Sequence, residues 1–259
     1  MPSSRTSISR PAESSAPDLT GRILRHERWI VAAGVALVAA LAWWFVLRGA
    51  GMSDAMDMQA MQRPPISALL LMWWVMMVAM MLPSAAPAVL LYGRVRHMRG
   101  GDEEIASSWL FLAGYTLAWL GFSIVAAGAH WLVAGPSMTI GNRYAEGAIL
   151  IAAGFYQMSL LKSACLRQCR SPAQFISRHW KPGAAGAVRL GILHGAYCVG
   201  CCWLLMALLF VGGVMNVVWI VALTAIVVIE KLFPMGDRIG RLAGIALIAW
   251  GAIRLMGAV

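Results

Sequence analysis

The sequence predicts an all-α protein: a polytopic membrane helix bundle with about seven transmembrane helices. Three observations predict it. Hydrophobic residues make up 60% of the 259-residue chain and charged residues only 12%, where a soluble domain averages about 25% charged. The apolar residues gather in seven runs, most of them near the ~20 residues that cross a bilayer core. The basic residues collect in alternate loops, as the positive-inside rule requires.

Residues 1–25, rich in Ser, Pro and Arg, read as a disordered cytoplasmic tail. The remainder, 26–259, reads as one transmembrane helical domain. The first run, Trp29–Leu47, has full span length and follows a polar stretch, so it is expected to be an anchor and not a cleaved signal. The second, Ile66–Tyr92, contains Pro83 and Pro87, which should kink it near one end. The third is Trp109–Ala134. The fourth, Tyr144–Leu161, is near the lower limit of length. The fifth, Ala187–Gly212, carries Gly191 and Gly195, small residues that let a neighbouring helix come close. Val214–Phe233 and the shorter Ile239–Met256 complete the set.

Seventeen basic residues lie before the first run, after the second, between or just inside the fourth and fifth, and between the sixth and seventh. The alternate loops hold four: Arg48, Arg63, Arg143 and Arg254. The N-terminus is therefore predicted cytoplasmic and the C-terminus external. This bias accounts for most of the net charge of +10. Nothing in the chain points to nucleic acid, and no hydrolase or nucleotide-binding motif stands out.

The fifth run holds the densest chemistry. His194, Cys198, Cys201 and Cys202 recur at i, i+4, i+7 and i+8, within roughly a 100° arc of one helix face. Thiolates beside an imidazole suit a transition metal, copper(I) first, with zinc and iron behind it. Cysteines on one helix turn do not easily reach disulfide geometry with each other. The alternative is packing, because cysteine is also a small apolar residue.

Met76, Met77 and Met80 of the second run cluster on one broad face at a depth that matches the cysteines. Thioethers favour Cu(I), although methionine also simply fills gaps between helices. Cys165 and Cys169 follow the fourth run at i, i+4 among Lys162, Arg167 and Arg170. If the helix continues one turn, both thiols share a face, and the neighbouring cations favour thiolate. The external loop Arg48–Pro65 carries Met52, Met56, Met58 and Met61, either as a soft-ion capture segment or as an amphipathic stretch on the membrane surface.

Single residues are weaker candidates. Glu230 near the inner end of the sixth run is expensive in a membrane unless paired, so it marks a site by default. Lys231 beside it is expected to snorkel to the interface. Tyr156 and Gln157 face the bundle interior or a cofactor. His130 and Arg254 read as interfacial. Haem between His130 and His194 is disfavoured by their different depths.

Three stretches carry a family resemblance: Met72-Trp73-Trp74 through Pro87; Tyr156-Gln157 through Cys165, Cys169, Arg170 and Pro172; and Gly191 through Cys198-Val199-Gly200-Cys201-Cys202-Trp203 to Met206. Over roughly residues 66–233 the chain resembles the bacterial predicted metal-binding integral membrane proteins grouped as domain of unknown function 2182. The resemblance implies metal binding and a copper-handling role in a bacterial inner membrane. It covers neither the tail nor the Met loop.

Three functions compete at this point. One is Cu(I) transport, delivery or chaperoning through intramembrane Cys, His and Met ligands, with a copper chaperone or a metalloenzyme-assembly system as partner. The second is a transmembrane thiol–disulfide carrier, which needs redox cysteines from two helices to approach each other. The third is a non-metal assembly subunit. None of them requires the chain to be an enzyme.

Overall fold

The computed structural model describes residues 18–49, 65–99, 104–133 and 141–257, and these are helical, with no strand among them. The helices are α1 (Asp18–Leu47), α2 (Ile66–Met98), α3 (Glu104–Val133), α4 (Arg143–Gln157), α5 (Leu160–Arg170), α6 (Pro172–His179), α7 (Gly183–Ala207), α8 (Leu209–Gly212), α9 (Val217–Leu232) and α10 (Gly236–Met256). α1 begins at Asp18, inside the stretch read as a tail. The Met loop, apart from its ends, lies outside the described residues.

Five segments are each long and apolar enough to cross a membrane: Arg28–Leu47, Ile66–Met98, Ala106–Leu132, Gly183–Gly212 and Gly236–Met256. Counting α4 and α5 together as one bent span makes six. The seven apolar runs therefore do not give seven long helices. Just before the sixth run Gly213 takes φ 92°, and within the run Asn216 caps a new helix by accepting from Trp219 N. α9 is left with 16 residues, about 24 Å at 1.5 Å per residue.

The fourth run is divided too. It ends at Gln157, and the chain turns by 61° before α5 begins. Ser159 causes the restart: its Oγ accepts from Lys162 N at 3.1 Å, the standard remedy for an orphan amide at a helix start. Hydropathy reads through this break because Met158, Leu160 and Leu161 are apolar on both sides of it.

α2 is the most buried long helix, and it continues helical through Pro83 and Pro87. α3 lies closely against α7 because glycine permits it. A Cβ on Gly191 would stand 2.0 Å from Phe111 O, and one on Gly114 would stand 2.2 Å from Val188 O. This bears out the close approach expected at Gly191. α4 and α10 form a second such seam, with Gly154 against Gly244 O and Gly251 against Gly147 O. Without side chains between them, backbones gain dispersion contact over a longer stretch. On the outer surface, Trp29, Leu37, Leu41 and Trp44 of α1 are exposed.

Candidate metal centre

α7 carries His194, Cys198, Cys201 and Cys202 into the interior, and all four are at most 3% exposed. The glycine seam with α3 turns this face inward. The two later thiols are held locally: Cys201 Sγ donates to Cys198 O at 3.1 Å, and Cys202 Sγ donates to the same carbonyl at 3.0 Å.

Three other helices reach this face. From α5, the Cys169 thiol lies beside both Cys198 and Cys201. Cys165, one turn earlier, sits over Gly200, where a Cβ would lie 3.0 Å from its Sγ. The two α5 cysteines share a helix as expected, although that helix is a new one after the bend. From α2, Met81 Sδ lies 3.8 Å from Cys202 Sγ. Met76, Met77 and Met80 are buried in the same helix, but Met81 is the thioether in contact with a thiol. From α9, Lys231 Nζ lies 2.8 Å from Cys198 Sγ and 3.2 Å from Ser84 Oγ. Tyr115 of α3 completes the surroundings of Cys198, with its hydroxyl 3.0 Å from the sulfur.

The sequence reading aimed Lys231 at the interface; the structure turns it inward, 7% exposed. A buried ammonium needs partners, and the Cys198 sulfur and the Ser84 hydroxyl supply them. Tyr115 and Met81 were also missed as neighbours of the thiols. A tyrosine in an apolar helix carries no signal of what its hydroxyl meets, and Met81 was one of five methionines in ten residues.

His194 has different company. Its ring lies among those of Phe111, Tyr115 and Phe175, with centroids 5.9, 6.0 and 5.2 Å away. Its Nδ1 is buried and makes no hydrogen bond. Buried polar atoms are normally satisfied, so this nitrogen is available to a ligand. His130 sits elsewhere, accepting from Trp73 Nε1 at 3.1 Å.

The five cysteines are free thiols. Among the described residues no three His, Cys, Asp or Glu side chains are grouped so that they could hold a metal ion as they stand. The centre is a sulfur-lined network whose thiols lie beside one another and hydrogen-bond to one shared carbonyl, a tyrosine and a lysine. Uptake of a soft cation here would require these thiols to release protons and exchange their hydrogen bonds for metal–sulfur bonds.

Glu230 belongs to a separate polar cluster. Its Oε2 lies 2.5 Å from Lys162 Nζ, its Oε1 accepts from Gln157 Nε2 at 2.6 Å, and Lys162 also donates to Gln157 Oε1. All three residues are buried, and the carboxylate is paired. Arg254 pairs with Glu146.

A family model described as PpoB2, copper chaperone, matches residues 70–254. That span includes every cysteine, His194, the α2 methionines and Lys231. The chain belongs to this copper chaperone family. No curated protein and no solved structure matches the chain.

Proposed function

We infer that this protein is an integral protein of the bacterial inner membrane, with its N-terminus cytoplasmic and its C-terminus periplasmic, and that it binds Cu(I) at the α5–α7 thiols and hands it to a copper-accepting partner. The observation that carries the reading is the meeting of Cys169 from α5 with Cys198 and Cys201 from α7. Sulfurs on two separate helices can close on a cation and open again, which a delivery protein needs. Cys198, Cys201, Cys202 and Cys169 form the ligand pool, and Cys165, His194 and Met81 stand at its edges.

Charge supports the same assignment. Two thiolates around one Cu(I) carry a net charge of −1, which is costly in a dry interior. Lys231 supplies the opposite charge from within hydrogen-bonding distance of Cys198. Soft sulfur donors in turn select Cu(I) over harder ions.

The test is Cu(I) stoichiometry of the purified protein, wild type against Cys198→Ser/Cys201→Ser/Cys202→Ser. Loss of the bound ion is expected; an unchanged stoichiometry rejects the site.

The thiol–disulfide carrier keeps one observation in its favour, since Cys169 and Cys198 come from different helices and meet. A free-thiol count that is equal after oxidant and after reductant treatment dismisses it.

A further inference from the structure

The bend between α4 and α5 opens a second site, away from the sulfurs. A polar cavity of about 290 Å³ lies between this break and the first turns of α10. Ser159, Lys162, Arg167, Asp237, Gly240 and Arg241 are among its walls. Its charges do not cancel internally. Lys162 is taken by Glu230, and Asp237 is taken by Arg170 at 2.9 Å. The guanidinium groups of Arg167 and Arg241 remain, exposed and without a hydrogen-bond or ion-pair partner among the described residues. α10 begins here with no side-chain cap and with Asp237 in its first turn.

The surroundings narrow the ligand. Leu160 and Met158 both line the cavity, and they are 87% and 43% exposed. A cationic cavity framed by outward-facing apolar side chains fits an amphiphile with an anionic head. The break is also on the side where the basic residues accumulate, the side facing the anionic leaflet.

We propose that the cavity between the α4–α5 break and α10 binds the phosphate group of an anionic phospholipid, with Arg167 and Arg241 as its charged contacts. The proposal rests on the membrane placement given above, but not on copper. A free phosphate ion shares the headgroup chemistry, so the experiment separates the two sources.

The full-length protein in neutral detergent is titrated with phosphatidylglycerol, phosphatidylcholine or inorganic phosphate, and bound ligand is counted by native mass spectrometry. About one tightly held phosphatidylglycerol is expected, with phosphatidylcholine weaker. Arg167→Gln/Arg241→Gln should lower phosphatidylglycerol affinity about tenfold or more, from two lost headgroup contacts. Arg94→Gln/Arg178→Gln, which removes the same charge from exposed positions elsewhere, should change it less than about twofold. Equal affinity in the Arg167/Arg241 variant overturns the proposal, as does equal binding of the two lipids. Saturation by inorganic phosphate without lipid selectivity reassigns the cavity to a free ion and overturns the lipid. Cu(I) stoichiometry is read in the same samples: its loss from wild type with lipid binding intact overturns the copper reading and leaves this one standing.

Discussion

Lys231 Nζ lies 2.8 Å from Cys198 Sγ, at the centre of the thiol network. The first prediction follows from that contact. Lys231→Met keeps the volume of the side chain and removes its charge. A hydrogen bond to a charged group is worth roughly 1.5–3 kcal/mol, so Cu(I) affinity should fall about 10- to 100-fold. Competition with a Cu(I) chelator measures it, and wild-type affinity in the variant would show that Lys231 is not the counter-charge.

Cys169 and Cys165 should separate. Cys169 lies beside two α7 thiols, whereas Cys165 faces the Gly200 backbone. Cys169→Ser is expected to weaken Cu(I) binding clearly more than Cys165→Ser in the same competition assay. The reverse order would place the ion on the other turn of α5.

The α2 methionines give a matched pair. Met81→Leu and Met77→Leu each conserve volume and should cost less than about 1.5 kcal/mol of stability. Met81 has its sulfur 3.8 Å from the Cys202 thiol. Reduced Cu(I) affinity in the first variant alone is expected; an equal effect of both would mean that the thioether contact is only packing.

How much of this was legible in the sequence depends on the residue. The α7 face was readable because helical spacing alone puts His194, Cys198, Cys201 and Cys202 on one arc. The copper description of the family agrees with the metal-binding resemblance read from those stretches. The α4–α5 break was not readable, because an apolar run does not reveal that Ser159 will cap a new helix inside it. Nor was the direction of Lys231: a lysine near the end of an apolar helix can reach outward or inward, and only the position of Cys198 on another helix decides.

The α3–α7 seam is testable by adding one methyl group. A Cβ on Gly191 would lie 2.0 Å from Phe111 O, while one on Gly128 would meet nothing within 4 Å. Gly191→Ala should destabilise the protein by about 1–3 kcal/mol, the usual cost of overpacking. Gly128→Ala should be neutral or stabilising by up to about 1 kcal/mol. Thermal unfolding in detergent distinguishes them, and similar melting temperatures would refute the close approach.

The Lys162–Glu230 pair predicts a non-additive result. Lys162→Met leaves a buried carboxylate with Gln157 as its remaining partner and should cost roughly 3–5 kcal/mol. Lys162→Met/Glu230→Leu removes both charges and should return close to wild-type stability. Additive losses in the double variant would mean that the pair is not buried as described.

Glu230 and Lys231 are consecutive residues on α9, projecting about 100° apart. One grips the start of α5 and the other grips the sulfurs of α7. While the last turn of α9 stays wound, it works as a yoke: neither handle can be swung without dragging the other. A shift of that turn as small as a side chain's reach therefore displaces the hinge of one cysteine-bearing arm and the tether of the other in a single stroke.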